Sequence, residues 1–176
     1  MNKDSQKTIW LTGLPCSGKT TLAKRLKAGL ALKGIRAVHL DADEIRGTLN
    51  SDLGFSEKDR SENLRRAAHV ARLLNDHGVQ VIASFVSPTA KMRRMIRGIV
   101  KGMKLVYLKC PVDVCESRDV KGMYAKARKG LIKGFTGVSA PFEAPLKADL
   151  VVDTSQHSIG YCVRKISERF FPGRKA

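Results

Sequence analysis

Apolar runs and segments of helical period alternate along the chain. Thr8-Ile9-Trp10-Leu11-Thr12 has the continuous apolar character of a buried strand, and Thr21-Leu22-Ala23-Lys24-Arg25-Leu26 opens an apolar repeat at helical spacing. Gly34 stops that helix, and Ala37-Val38-His39-Leu40 predicts a second strand ending at Asp41. A short helix is expected near Glu44 to Leu49. A longer one is expected from Ser56 to Asp76, with apolar positions at Leu64, Ala67, Ala68, Ala71 and Leu74, a start marked by Ser56 and Asp59, and a stop at Gly78. Val79 to Ala83, Leu105 to Leu108 and Leu150 to Val152 predict three further strands, and Ile159 to Phe170 a final amphipathic helix. This order predicts an α/β fold: one domain, residues 1–176, with a five-stranded parallel sheet flanked by helices. Residues 119–145 show no sustained period, and a loop of that length in a compact domain is expected to be a mobile lid that covers substrate.

The turn after the first strand changes the picture most. Gly13-Leu14-Pro15-Cys16-Ser17-Gly18-Lys19-Thr20 fits the phosphate-binding pattern G-x-x-x-x-G-K-[ST] with a strand before it and a helix after it, as the P-loop NTPase fold requires. Backbone N–H groups of this loop, continuing to Thr21 on the helix N-terminus, make a cradle for di- and triphosphates. Lys19 is expected to reach the β- and γ-phosphates and the Thr20 hydroxyl to ligate Mg²⁺.

Composition sets limits on the setting. Of the 176 residues 43% are hydrophobic and 28% charged, ordinary for a globular protein, and no apolar run approaches the ~20 residues of a membrane span. The polar start, Met1 to Lys7, and the absence of a C-x-x-C pair among Cys16, Cys110, Cys115 and Cys162 point to a cytoplasmic protein with free thiols, no membrane and no zinc site. The balance of 33 Lys and Arg against 16 Asp and Glu, a net +17, invites a nucleic-acid partner. Only 6% of residues are aromatic and no stacking motif is present, so no specific nucleic acid is expected. A positive field also steers polyanionic substrates to an enzyme.

Ligands of parallel sheets bind beyond the carboxyl ends of the strands. The second strand delivers Asp41-Ala42-Asp43, two carboxylates suited to activating a hydroxyl and holding Mg²⁺, with helix capping by Asp43 as the plain structural alternative. Arg46, Arg60 and Asn63 follow; the last two share a helix face and suit phosphate, sulfate or a base edge, or else form a solvated face. The third strand leads to Phe85-Val86-Ser87-Pro88, which places Ser87 at the crevice rim. Phe55 and Phe85 are candidates to sandwich a purine, and equally candidates for the core.

Several of these stretches together resemble the adenylyl-sulfate kinase family. They are the phosphate loop, Asp41-Ala42-Asp43-Glu44-Ile45-Arg46, and Asp52 to Asn63. Phe85-Val86-Ser87-Pro88, Arg118 to Tyr124, Lys133 to Val138 and Phe142-Glu143-Ala144-Pro145 complete the set, in the family's order from about Ile9 to Thr154. The resemblance implies transfer of the γ-phosphoryl of MgATP to the 3′-hydroxyl of adenosine 5′-phosphosulfate. It places Asp41 beside the acceptor hydroxyl and Asp43 as its acidic neighbour; Thr20 and Asp43 are the metal candidates, with the base and metal-linked roles of the two carboxylates open. Arg46, Arg60, Asn63 and Val86 fall at the acceptor, Phe55 and Phe135 at the rings enclosing its adenine, Arg118 at the ATP side and Lys121 on the lid. Ser87 matches a serine described as phosphorylated in the family, although in-line transfer needs no covalent intermediate. The resemblance also implies a homodimer and a functional link to an ATP sulfurylase. The chain departs from the family at Ala42, usually Gly, at Gly47-Thr48, commonly His-Gly, and at Thr89, commonly a larger residue. The alternative reading is a related P-loop kinase acting on another nucleotide or small hydroxyl compound.

Overall fold

The computed structural model describes residues 7–172; the polar start before Lys7 lies outside them. Five strands, β1 (Ile9–Thr12), β2 (Ala37–Asp41), β3 (Gln80–Ser84), β4 (Lys104–Lys109) and β5 (Leu150–Asp153), form one sheet in the order β2-β3-β1-β4-β5, and every pairing is parallel. The helices are α1 (Lys19–Leu32), α2 (Ala42–Gly47), α3 (Glu57–Asp76), α4 (Ala90–Ile99), α5 (Val112–Ser117), α6 (Met123–Arg128) and α7 (Ile159–Phe170). The α/β class and the five parallel strands match the sequence expectation. None of these helices is long and apolar enough to cross a membrane.

Alternation along the strands divides the core between the two faces of the sheet. Ile9 and Leu11 pack with Leu22, Leu26, Leu30, Val106, Leu108, Cys162 and Ile166 beneath α1 and α7. Trp10 points the other way and packs with Leu64, Ala67, Ala71, Val81, Ala83, Phe85, Met92 and Ile96 beneath α3 and α4. A third cluster, Leu14, Cys110, Cys115, Tyr124, Ala127 and Phe135, lies where the phosphate loop meets α5 and α6.

Three helices extend the sequence reading. α4 buries Met92, Arg93 and Ile96 and is capped by Thr89, whose hydroxyl accepts from the Met92 amide at 3.2 Å. Thr89, one of the departures noted above, therefore has a local structural use. α5 and α6 are six residues each. α6 breaks up the segment read as lacking regular structure: Gly122 takes a left-handed conformation at its start, and the Asp119 carboxylate accepts from the amides of Met123, Tyr124 and Ala125. α2 begins at Ala42, where alanine favours helix over the family's usual glycine, and its cap is Asp41, not Asp43. The Ser56 hydroxyl accepts from the Asp59 amide at 3.1 Å and donates to the Asp59 carboxylate at 2.7 Å, so this start is capped as the pairing of those residues predicts.

Candidate active site

The carboxyl ends of the strands gather the candidate residues into one crevice. The loop after β1 can take its path only with glycine at 13, because a Cβ there would stand 2.7 Å from the Leu108 carbonyl oxygen. Gly18 caps α1 in the left-handed region at φ 88°, and Cys16 holds a positive φ of 61°. Such strain in a non-glycine residue persists where the surroundings over-determine it. Here Tyr124 Oη donates to the Pro15 carbonyl at 3.1 Å, and Thr154 Oγ1 donates to the Ser17 carbonyl at 3.0 Å. Burial pushes the Cys16 thiol above its ordinary pKa, which makes it a poor nucleophile and a reasonable small filler of the loop.

Lys19 Nζ donates to the carbonyls of Gly13 at 3.0 Å and Leu14 at 2.6 Å, across the mouth of the loop. Burial pulls its pKa down to about 8. Beside it a cleft of about 530 Å³ is lined by Cys16, Gly18, Lys19, Thr20, Thr21 and Arg118, with Thr154, His157, Ser158 and Ile159 on the far wall. Arg118, expected on the ATP side, is fixed there by a 2.8 Å bond to the Thr154 carbonyl. Thr154 and its followers were not among the predicted site residues. Their signal was available: Asp153-Thr154-Ser155 is a polar run at the carboxyl end of a strand.

The two carboxylates occupy different surroundings. Asp41 Oδ2 accepts from Thr20 Oγ1 at 2.8 Å and from Ser84 Oγ at 2.9 Å, while Oδ1 accepts from the Asp43 amide at 3.0 Å. Burial pushes the Asp41 carboxyl up, but these three donors outweigh it and hold the pKa below the usual range. Asp43 is exposed, with a side-chain exposure of 74%, and meets Lys121 Nζ at 2.5 Å. Thr20, expected on the metal side with Asp43, meets Asp41 here: the hydroxyl at the head of α1 is held by Asp41, because β2 runs beside α1 and ends there.

The remaining candidates separate into two groups. Arg46, Phe55 and Arg60 come together: the Arg46 guanidinium lies 4.5 Å from the centre of the Phe55 ring and donates to the Gly54 carbonyl at 2.9 Å. Arg60 donates to the Phe55 carbonyl at 2.9 Å, the Thr136 hydroxyl at 3.1 Å and the Gly134 carbonyl at 2.5 Å, so it joins Phe55 to the segment carrying Phe135. Phe55 is 68% exposed and free to receive a ring; Phe135 is largely buried with Tyr124 at its edge. Asn63 is buried, and its Oδ1 accepts from Asn50 Nδ2 at 2.9 Å, a contact that the sequence reading did not anticipate.

Phe85 is a correction. It is 1% exposed and stacks on Trp10 with ring centres 5.0 Å apart, on the core side of the sheet, and does not reach the crevice. Val86 is half-buried, and its carbonyl accepts from Thr12 Oγ1 at 2.5 Å. Ser87 is also 1% exposed, with φ 43°, and its hydroxyl accepts from Trp10 Nε1 at 2.8 Å. Buried Arg93 donates to the Ser87 carbonyl at 2.8 Å and holds the turn from behind. Glu143 then pins the far end of the 119–145 segment to the same turn: its amide donates to the Pro88 carbonyl at 2.9 Å and its carboxylate accepts from the Ala90 amide at 2.6 Å. Replacing Ser87 with alanine leaves the buried indole N–H unsatisfied, which costs about 1–3 kcal/mol. A lowered denaturation midpoint is the expected result for Ser87→Ala, and an unchanged midpoint would contradict it.

The chain is similar to known proteins. The family model described as adenylylsulphate kinase matches residues 5–153. The adenylyl-sulfate kinase of Paraburkholderia xenovorans is 50% identical over 159 residues, which cover 90% of this chain and 89% of the relative. A probable adenylyl-sulfate kinase of Bacillus subtilis is 44% identical over 169 residues, covering 95% and 86% respectively. The Mycobacterium tuberculosis APS kinase CysC, solved in complex with AMPPNP and APS, superposes with a TM-score of 0.90 at 41% identity, covering 94% of this chain and 97% of that one. The chain belongs to the adenylylsulphate kinase family.

Proposed function

We propose that the whole chain works as one cytoplasmic kinase domain, residues 1–176, that transfers the γ-phosphoryl of MgATP to the 3′-hydroxyl of adenosine 5′-phosphosulfate. The products are 3′-phosphoadenosine 5′-phosphosulfate and ADP. One observation carries the reading beyond family membership. Thr20 meets Asp41 and Lys121 meets Asp43, so the phosphate loop, the acidic pair and the covering segment converge on one point. Arg46, Phe55 and Arg60 form a separate cationic and aromatic patch suited to a second, anionic nucleotide.

The donor set suits Mg²⁺. Among the described residues no cluster of three or more His, Cys, Asp or Glu is placed to hold a metal alone. Mg²⁺ characteristically takes one or two carboxylates and completes its shell with water and substrate phosphates. Thr20 Oγ1 gives its proton to Asp41 and keeps lone pairs free, so Thr20 and Asp41 are the residues to hold the ion or its waters. When bound, the ion would supply neutralising charge to the reacting phosphates. Lys19 orients the transferring phosphoryl group. Asp43, exposed and paired with Lys121, is then the carboxylate left to accept the proton of the attacking hydroxyl, where the family resemblance sets Asp41. Its contact with Lys121 is an exposed ion pair of small energetic value and is readily exchanged. The family reading carries with it a homodimer and a functional link to an ATP sulfurylase.

The 119–145 segment acts here as a lid that excludes water from the γ-phosphate. Exclusion matters because water would otherwise take the phosphoryl group. Gly130, Gly134 and Gly137, all at positive φ, permit the backbone change. Amides from 129 to 138 are expected to gain hydrogen-exchange protection when ADP and adenosine 5′-phosphosulfate are both present. Full protection without nucleotides, unchanged by them, would refute the lid. The activity itself is tested by ATP consumption over a panel of hydroxyl acceptors, where adenosine 5′-phosphosulfate should give the highest kcat/KM. Preference for another nucleotide or a small alcohol would favour the related-kinase reading.

A further inference from the structure

His39 stands on β2, two residues before Asp41, in a strand whose other members before Asp41 are Ala37, Val38 and Leu40. Its side chain is only 9% exposed. Residues two apart on a strand share a face, so His39 and Asp41 point the same way. Ser84, the last residue of β3, is the register partner of Asp41 and is 2% exposed. His39 Nε2 lies 2.8 Å from Ser84 Oγ, and Ser84 Oγ lies 2.9 Å from Asp41 Oδ2. The direct separation of His39 Nε2 from Asp41 Oδ2 is 3.7 Å, so the hydroxyl is the link between them.

Proton counting gives this chain a direction. An ionised carboxylate only accepts, and a serine hydroxyl has one proton. Ser84 must therefore give its proton to Asp41 and turn a lone pair to the imidazole, which must supply an N–H from Nε2. The arrangement runs His39 Nε2–H to Ser84 Oγ–H to Asp41 Oδ2, where Thr20 also donates.

We propose that His39 is a positioning residue for phosphoryl transfer: through Ser84 it fixes the Asp41 carboxylate and with it the Thr20 hydroxyl. This rests on the reading of Asp41 and Thr20 as the metal side of a kinase site. Without the imidazole donor the Ser84 hydroxyl is free to rotate, and Asp41 Oδ2 loses a donor whose orientation was set. Hydrogen bonds in such a series polarise one another, so the effect of the outermost member reaches the last. A histidine that merely fills space beneath the strand would owe nothing to Ser84, and that difference can be measured.

The first measurement needs neither activity nor a variant. Long-range ¹H–¹⁵N correlation on the full chain with ¹⁵N-labelled histidine should find His39 neutral with its proton on Nε2. A proton on Nδ1 with Nε2 accepting would overturn the proposal, because Ser84 would then donate away from Asp41. The second is kinetic. His39→Leu should lower kcat by roughly three- to tenfold, the scale of one neutral hydrogen bond, with KM for ATP within about twofold. His39→Gln, which returns an N–H near the place of Nε2, should recover most of the loss. In a Ser84→Ala background His39→Leu should cause little further loss. Equal losses in the Leu and Gln variants at parental melting temperature, or losses that multiply in the double variant, would overturn it. If the parent makes no product from adenosine 5′-phosphosulfate, the kinase reading falls, while the tautomer measurement still decides the His39 chain.

Discussion

Replacing Lys19 with alanine is expected to lower kcat by at least about a hundredfold, the scale for removing one oriented donor from a charged transition state. The side chain sits at the mouth of the phosphate loop with its ammonium held against the Gly13 and Leu14 carbonyls, and in the proposed reaction it meets the β- and γ-phosphate oxygens from there. Its loss removes compensating charge as phosphoryl transfer spreads charge over the equatorial oxygens, and it removes positioning as well. The fold should survive, since the loop is also held by Tyr124 and Thr154. Steady-state kinetics with a melting curve checks both points. Activity within a few-fold of the parent would remove the phosphate loop from the mechanism.

Arg60→Ala is expected to weaken the acceptor about ten- to a hundredfold while leaving ATP nearly untouched, from the loss of charge-assisted contacts worth about 1.5–3 kcal/mol. The geometry adds a reason that the sequence did not contain. Three Arg60 donors tie the Phe55 carbonyl to Gly134 and Thr136, so the variant also loosens the wall carrying Phe135. Arg60→Lys should therefore rescue poorly, because an ammonium cannot span those three acceptors with a planar fork. Arg46→Ala removes a cation stacked on Phe55 and should show a similar preference for the acceptor. Titration calorimetry with each nucleotide separates the two sites; equal weakening of both would point to misfolding or to a general loss of steering.

Local features were legible in the sequence and long-range ones were not. The β1–loop–α1 unit could be read because its strand, glycines and lysine are contiguous, and the start of α3 because Ser56 and Asp59 are three apart. α4 was overlooked although Met92, Met95, Ile96 and Ile99 carry the helical period; its run of arginines reads as scattered surface charge until Arg93 is found buried. α5 and α6 are under two turns, too short for a period to emerge. The two candidate phenylalanines were split only by packing: Phe85 follows the parity of Ala83 and Trp10 into the core, while Phe55 stands exposed beside Arg46. The pairing of Thr20 with Asp41 instead of Asp43 depends on β2 lying beside α1. The contact of Thr154 with Ser17 spans 137 residues, and that of Glu143 with Ala90 spans 53. No local pattern announces such partners.

Identifying the phosphorylated product tests the central claim most directly. The purified chain is incubated with MgATP and adenosine 5′-phosphosulfate, and the nucleotides are separated and examined by mass spectrometry and ³¹P NMR. The account predicts one ADP for each acceptor consumed, with the new phosphate on the 3′-oxygen. ADP formed at the same rate without the acceptor, or a phosphate on any other position, would contradict it.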